Sequence, residues 1–195
     1  MIISTRIFEA YLKCPSKCWF LFLDKKGGAN IYSDFLRKRN NAYRAAGIER
    51  LMAKIQPGEC VVKPSVPVNI KTATWLLAID LVARKETFES CLHAVERIPT
   101  DGQGKSAQFI PIRFIFTNKV TKDDKLVLAF DALALSETLR MEVSHGKIVY
   151  GKGCNSAKIK TSILAGDVKK ITGRIIKLIG NVQKVGQRLI STVWI

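Results

Sequence analysis

The chain has 195 residues, of which 47% are hydrophobic and 25% are charged; this balance is typical of one globular domain with a substantial core, not of a disordered chain. No apolar run reaches the roughly 18 residues that a membrane-spanning helix requires, so we expect no membrane partner. Arg6 and Glu9 interrupt the N-terminus where a signal peptide would carry its apolar core, and five scattered cysteines favour a reducing compartment. These features predict a cytoplasmic protein.

The formal net charge of +16 is the strongest compositional signal. A field of that sign concentrates polyanions and raises the rate at which they associate, so nucleic acid is the leading partner. The alternative is a basic protein whose lysines only solvate its surface. The charge is concentrated in two stretches, and the candidate contacts to nucleic acid are Arg37, Lys38, Arg39, Lys169, Lys170 and Arg174.

The first third of the chain predicts helices followed by an edge element. A helical pattern over residues 4–22 is interrupted by the proline after Cys14, where a helix should end or restart. Ser33 is expected to cap a second helix, which a Gln-Pro-Gly sequence at 56–58 ends. Cys60–Val68 contains two prolines, so it is expected to be an edge strand or a loop.

Three strands follow in succession. Thr74–Ala83 and Ser90–Ile98 have strand composition and are joined by a polar connection over residues 84–89. Gln108–Phe116 is a nearly unbroken run of β-branched and aromatic residues, which is typical of a strand buried on both faces. A further short strand is expected at Gly146–Tyr150. The segments therefore predict a sheet with helices before and after it.

The helix after the third strand is predicted to be a core element. Thr121 and Asp124 have the spacing of a capping box at its start. From Leu126 to Leu139 the helix is apolar on almost every side, and Asp131 is the main exception. Such a helix is expected to lie between the sheet and other helices.

The C-terminal part predicts one amphipathic helix and a tail. Ala165–Ile179 carries apolar residues on one stripe and lysines opposite. The chain is therefore interpreted as a single domain over residues 1–179, followed by a weakly patterned tail over residues 180–195.

Asp80 and Glu96 are the first candidates for chemistry. A phosphodiester nuclease needs acidic residues at converging strand ends to hold a hard divalent cation, and these two lie on adjacent predicted strands. The alternative is that each carboxylate lies at a strand end and faces solvent. The sequence contains no Ser/His/Asp constellation, phosphate-binding glycine loop or paired Cys-x-x-Cys motif.

Several segments together resemble the RecB-like PD-(D/E)XK nucleases, specifically those related to the CRISPR-associated exonucleases. The segments, in order between Met1 and Gly151, are EAYLKCPSKCWF, NNAYRAAGIERL, HAVERIP, QFIPIRFIFTNKVTKDDKLVLAFDALALSETL and HGKIVYG. The resemblance implies an α/β fold of restriction-endonuclease-like type, with a mixed central sheet flanked by helices. It also implies DNA as the partner and Mg²⁺ or Mn²⁺ as the metal of cleavage.

In that family an Asp on one strand and a Glu-x-Lys on the next bind metal and activate water. Aligned on the following helix, Arg113 occupies the position of the acid and His93 roughly that of the catalytic Asp. A second register makes Asp80 the aspartate and Glu96 the glutamate, with Ile98 at the lysine position. The resemblance therefore designates Asp80, His93, Glu96 and Arg113 as candidate catalytic residues, with Asp80 and Glu96 as metal ligands.

Two of these residues have alternative roles. His93 is either an unusual metal ligand or, as is more usual, a hydrogen-bonded histidine on a strand. Arg113 either contacts phosphate through its bidentate guanidinium or pairs with Glu96 across the sheet.

The same family holds an iron–sulfur cluster with four cysteines. Cys14 matches the N-terminal ligand, but no cysteine follows Ile179, so we expect no intact cluster in this chain alone. We infer a diverged member whose C-terminal module is missing or lies on another chain. Three functions stay open: metal-dependent DNA cleavage, a catalytically inactive nucleic-acid-binding or scaffolding subunit, and an interaction domain with a partner surface at residues 193–195.

Overall fold

The computed structural model describes residues 1–23, 31–64, 73–99 and 107–193, with side chains in the last helix described as far as Gly180. The strands in these ranges are β1 (Ile3–Ser4), β2 (Cys60–Val62), β3 (Leu77–Lys85), β4 (Phe88–Ile98), β5 (Gln108–Ile115), β6 (His145–Tyr150) and β7 (Asn155–Lys160). The α-helices are α1 (Thr5–Lys13), α2 (Pro15–Phe22), α3 (Ile31–Met52), α4 (Lys122–Leu139) and α5 (Ala165–Val193), and a 3-10 turn covers Thr161–Leu164.

The strands form one mixed sheet in the order β2-β3-β4-β5-β6-β7, and β1 pairs with β4 beside this path. The pairs β3–β4, β4–β5 and β6–β7 are antiparallel, whereas β2–β3, β5–β6 and β1–β4 are parallel. The α/β fold that the sequence predicts, a mixed central sheet flanked by helices, is confirmed.

Helix α4 is the central element of the larger core. The predicted capping box is present: Thr121 Oγ1 accepts the Asp124 N–H at 3.2 Å, and Asp124 Oδ2 accepts the Thr121 N–H at 2.8 Å. The helix lies between the sheet and helices α1 and α5, as predicted. Phe130 packs against Phe8 of α1 and Phe88 of β4, with ring centroids 4.6 and 5.4 Å apart. Apolar burial on both sides explains why almost every face of the helix is apolar.

Helix α3 covers part of the opposite face of the sheet. Tyr43, Ile48 and Leu51 from its C-terminal half pack on a second apolar cluster that includes Phe114. Gly47 is buried at this contact, and a Cβ atom there would overlap the Phe114 ring. The N-terminal half of α3 is largely exposed and stands beside the sheet instead of packing on it.

The four predicted strands are present as β3, β4, β5 and β6 with shifted ends, but the β3–β4 connection differs. The sequence predicts a polar connection over residues 84–89, whereas the hairpin turns through only Glu86 and Thr87. Arg84 and Glu89 are strand residues whose side chains pair at 3.3 Å. Their polarity marks a solvent-facing side of the ribbon, and the prediction of a loop was wrong there.

Two helix boundaries and one strand also differ from the sequence prediction. Helix α3 begins at Ile31, so Ser33 lies inside the helix and does not cap it. Helix α5 continues past the predicted end at Ile179 as far as Val193, and Trp194 and Ile195 lie outside the described residues. Strand β7 was not predicted, because an edge strand with lysines on alternate residues has the composition of a loop.

The predicted break after Cys14 is confirmed. Helix α1 ends at Lys13, Cys14 adopts an extended conformation, and Pro15 begins α2. Of the helices in the described ranges, none is both long enough and apolar enough to cross a membrane.

The contact of Gly47 with Phe114 gives a test of how closely α3 approaches the sheet. We expect Gly47→Ala to lower the free energy of unfolding by about 1–3 kcal/mol, because overpacking outweighs the better helix propensity of alanine. Gly173→Ala in α5 is the matched control: an added Cβ there meets no atom within 4 Å, so we expect a gain of about 0.5–1 kcal/mol. Urea unfolding of both variants measures the difference, and a stabilised Gly47→Ala protein would contradict the packing.

Candidate nucleic-acid interface

A cleft of about 760 Å³ lies at the carboxyl end of β5, between α1, α2, α3 and the start of α4. The charged residues that line this basic cleft are Lys13, Lys17, Arg37, Arg44, Arg113, Glu9, Asp123 and Asp124. Five cations therefore face three carboxylates. The ends of several elements meet here, so the basic residues converge although they are far apart in sequence.

Helix α3 supplies the polar wall of the basic cleft. Arg37, Asn40 and Arg44 line it at helical spacings of three and four residues, which places them on one face. Of the predicted contacts, Arg37 lies on this wall and pairs with Asp34 at 2.9 Å while remaining largely exposed.

The remaining predicted basic contacts have different positions. The Arg39 guanidinium lies 4.4 Å from the centroid of Phe116, a residue of the cleft lining, and Lys38 is exposed outside the lining. Lys169, Lys170 and Arg174 are exposed on α5, and no described α5 residue lines the cleft. The two basic stretches of the sequence therefore do not form one cavity among the described residues.

Arg113 lies at the base of the basic cleft and is only 7% exposed. Its Nε donates to Asp131 Oδ2 at 2.9 Å, its second terminal nitrogen donates to Asp131 Oδ1 at 3.2 Å, and its first donates to Glu9 Oε1 at 2.7 Å. The Ser90 hydroxyl also donates to Asp131 Oδ1 at 2.6 Å. Asp131 is 3% exposed, so two buried opposite charges satisfy each other through a bidentate contact.

This network fixes the charge of Arg113. Burial by itself lowers the pKa of the guanidinium, but the Asp131 and Glu9 carboxylates outweigh burial and raise its pKa above the usual value. The predicted alternative of an Arg113–Glu96 pair was wrong, since Glu96 instead accepts from Lys147 Nζ on β6 at 2.7 Å. Arg113 and Glu96 lie on different faces of the sheet. Side chains alternate between the two faces along each strand, so the register of β4 with β5 must be known before the faces of these two residues can be compared.

Asp80 lies at an interruption of the β3–β4 ribbon. The paired residues on either side are Ile79 with Ala94 and Leu81 with Leu92, which leaves Asp80 opposite His93. Asp80 has φ 54°, a left-handed conformation that is uncommon for a residue other than glycine.

The interruption changes which side chains face α4. Ala78 and Leu81 both belong to the core beside α4, although strict alternation would place residues three apart on opposite faces. Leu92 and Val95 on β4 show the same shift. The alternation of side chains is therefore interrupted at the same place in both strands. The pairing register of β3 with β4 is the same on either side of the interruption.

The side chains at the interruption have partners in the protein. A terminal nitrogen of Arg44 on α3 donates to Asp80 Oδ1. His93 Nδ1 accepts the Phe114 N–H at 3.2 Å, and the two rings stack at an interplanar angle of 6°. Burial, followed by the positive charges of Arg113 and Arg44, holds the pKa of His93 well below its usual value. His93 is thus a neutral, hydrogen-bonded strand histidine at pH 7, the second of the two predicted roles.

The predicted metal ligands lie on adjacent strands but do not converge. Glu96 pairs with Leu77 in the ribbon, three positions from Asp80, which corresponds to roughly 10 Å along the strand. Each carboxylate holds a cationic side chain, Arg44 or Lys147. Among the residues that the structure describes, no three His, Cys, Asp or Glu side chains are grouped to hold a metal ion. As they stand, these residues do not fit a divalent cation.

The five cysteines are free thiols, and two of them, Cys14 and Cys18, belong to the first turn of α2. Cys14 is exposed at the start of α2, where the backbone N–H groups of Lys17 and Ser16 lower the pKa of its thiol. Cys18 is buried one turn further on. The other three thiols lie on β2, on β4 and in the β6–β7 turn, so the described cysteines do not fit a four-thiolate cluster.

Sequence reasoning missed four of the residues that shape these contacts. Lys13 and Lys17 lie on either side of the break between α1 and α2, and both line the basic cleft. The predicted break was the sequence feature from which their proximity could have been inferred. Arg44 was not identified as the partner of Asp80. Nothing in the sequence assigned Lys147 to Glu96, because that contact depends on strand order.

Comparison of the sequence with models of known protein families and with curated proteins gives no match. The resemblance to RecB-like nucleases therefore rests on the quoted sequence segments and stays a prediction. The contacts and charges of the basic cleft carry the functional argument.

The Arg113–Asp131 pair gives a test of buried charge. We expect Arg113→Met and Asp131→Leu each to lower the free energy of unfolding by about 3–5 kcal/mol, because the first leaves the buried Asp131 carboxylate without its cation and the second removes the bidentate partner of the buried guanidinium and leaves it with the Glu9 carboxylate. The double variant should lose much less than the sum, since both charges are removed together. Urea unfolding of the cycle measures the coupling. The exposed Arg84–Glu89 pair is the control and should couple by less than about 1 kcal/mol; additive effects at Arg113 and Asp131 would contradict the network.

His93 makes stability depend on pH. The pKa of His93 is lowered in the folded protein, whereas the unfolded chain binds a proton near its ordinary pKa of about 6.5. Stability contributed by neutral His93 is therefore present above about pH 6.5 and is lost as pH falls toward the folded pKa. We expect His93→Gln to flatten the loss of unfolding free energy between about pH 7.5 and 5.5. Equal slopes for wild type and His93→Gln would contradict this assignment.

Proposed function

We propose that this chain binds nucleic acid, with DNA as the ligand, in the basic cleft and holds it without cleaving it. The observation that carries the proposal is the arrangement of charge around Arg44. The candidate metal ligand Asp80 is engaged by Arg44, while Lys13 and Lys17 line the same cleft and form no ion pair with any described residue.

Unpaired lysines in an open cleft are suited to phosphates. Neutralising phosphates with lysine and arginine releases condensed counterions, and this release is the main driving force of sequence-independent binding. Phe116, Asn40 and Asn41 also line the cleft, so an aromatic ring and amide groups lie within the same cavity as the cations, with the Arg39 guanidinium over one face of that ring. Cations, amides and an aromatic ring together provide contacts for phosphate, sugar and base.

Metal-dependent cleavage is the second candidate. Asp80 has an uncommon backbone conformation directly opposite His93, and such conformations cluster at functional sites. For this function Arg44 must leave Asp80, so that Mg²⁺ or Mn²⁺ can replace the guanidinium charge. The proposal includes the RecB-like origin, a cytoplasmic location in keeping with five free thiols, and a further protein partner.

Binding can be measured by fluorescence anisotropy with end-labelled single- and double-stranded DNA over a series of salt concentrations. We expect Lys13→Ala/Lys17→Ala to weaken binding and to lower the slope of log affinity against log salt by about 1.4 to 1.8, the value for two lost phosphate contacts. Lys54→Ala/Lys158→Ala removes the same charge outside the cleft lining and should keep the wild-type slope. Equal slopes for both double variants would contradict binding in the cleft.

The same DNA incubated with Mn²⁺, with Mg²⁺ or with EDTA separates the two candidates. We expect intact DNA in all three conditions. Shortening that needs the metal and disappears in Asp80→Asn would instead support cleavage at the ribbon interruption. Arg44→Gln tests whether the Arg44–Asp80 contact prevents cleavage. If it does, removing the guanidinium releases the Asp80 carboxylate and permits metal binding.

A further inference from the structure

The β3–β4 ribbon has one face that no described helix covers near its hairpin. Leu81, Ala83 and Leu92 point to the core beside α4. On the other side Val82 is 42% exposed and Cys91 is exposed. Beyond Ile79 the strand β3 pairs with no described residue on its β2 side, so within the described ranges this part of the ribbon is open to solvent on one face and along one edge. This solvent-facing surface, formed by Val82, Cys91, Arg84 and Glu89, is called the open ribbon face.

A second pocket lies where the open ribbon face meets the end of β2. It has a volume of about 300 Å³ and is lined by Arg44, Lys63, Pro64, Asp80, Val82 and Cys91. Arg44 also lines the basic cleft. The two cavities therefore share one side chain, Arg44.

The second pocket has one cation available for an anion. Arg44 is engaged by Asp80, whereas Lys63 forms no ion pair with any residue in the described ranges. The Lys63 backbone is held in place: its N–H donates to the Ile79 carbonyl at 2.8 Å, and its φ is 48°. An exposed lysine with an anchored backbone, beside the apolar Val82 side chain, offers contacts to the anionic phosphate of a nucleotide and to the apolar faces of its base and sugar.

We propose that a DNA strand bound in the basic cleft continues past Arg44 onto the open ribbon face, with one of its phosphates at Lys63. This inference rests on the proposed function, because the cleft must first hold the strand. It extends the binding site to the β2 side of the sheet and assigns the pocket at Lys63 to a phosphate of the same strand. The occupant is indicated by charge complementarity and by the side chain that the two cavities share.

The length of the bound oligonucleotide distinguishes the basic cleft from its extension at Lys63. Single-stranded oligonucleotides of about 4 and about 12 nucleotides span the range of such sites, and the shorter one should fill the cleft alone. We expect Lys63→Ala to weaken binding of the longer strand by about twofold to fivefold and to lower its salt slope by about 0.7. Binding of the shorter strand should be unchanged. Lys158→Ala, on the strand at the opposite edge of the sheet, is the matched control and should affect neither strand.

A second variant tests the open ribbon face without touching Lys63. Val82→Glu places a negative charge on the exposed surface and should weaken only the longer strand, whereas Ile163→Glu, at a residue 71% exposed on the 3-10 turn, should not. Circular dichroism confirms that each variant is folded. Wild-type binding of the longer strand by both Lys63→Ala and Val82→Glu would overturn the inference, and equal weakening of both strands would place Lys63 in the cleft site and also overturn it.

The inference and the proposed function fail in different ways. If Lys13→Ala/Lys17→Ala binds both oligonucleotides like the wild type, the cleft is not the site and the proposed function fails. If that variant is weakened for both strands while Lys63→Ala and Val82→Glu are not weakened for the longer one, the cleft stands and only its extension fails.

Discussion

The buried Arg113 guanidinium is the interaction on which the arrangement of the basic cleft depends. A cation taken out of water is costly unless carboxylates and hydrogen bonds replace its hydration. Asp131 supplies a bidentate contact from α4, and Glu9 supplies a second carboxylate from α1. Arg113 on β5 therefore ties three elements together, and the orientation of α1 in turn places Lys13 at the rim of the cleft.

A second constraint acts at the interruption opposite His93. The left-handed Asp80 shifts the phase of β3, and its carboxylate meets a guanidinium from α3. The negative charge of a carboxylate can be balanced by a metal ion or by an arginine. Here Arg44 balances the charge of Asp80. In the proposed function the cations around this interruption bind phosphates, and the Arg44–Asp80 contact is the feature that distinguishes binding from cleavage.

Sequence reasoning was reliable where local chemistry decides structure. The capping box of α4 and the helix break at Pro15 depend on a few neighbouring residues, and both are present. The two isolated charges in apolar segments, Arg113 and Asp131, were each noticed, and a single buried cation and a single buried anion on neighbouring elements require each other. Their pairing was not predicted, because a strand register had to be known before Arg113 could be assigned to the α4 face.

The sequence by itself determined the α/β class, the order of β3, β4, β5, α4 and β6, and the excess of positive charge, because hydrophobic periodicity, capping and composition are local or additive properties. Only the tertiary structure decided which charges meet. Polar residues at the β3–β4 hairpin have the composition of a loop but lie on a solvent-facing strand surface, and the partners of Asp80 and Glu96 come from elements distant in the chain. A contact between distant residues depends on strand order and on the face each side chain occupies, and neither is encoded in neighbouring residues.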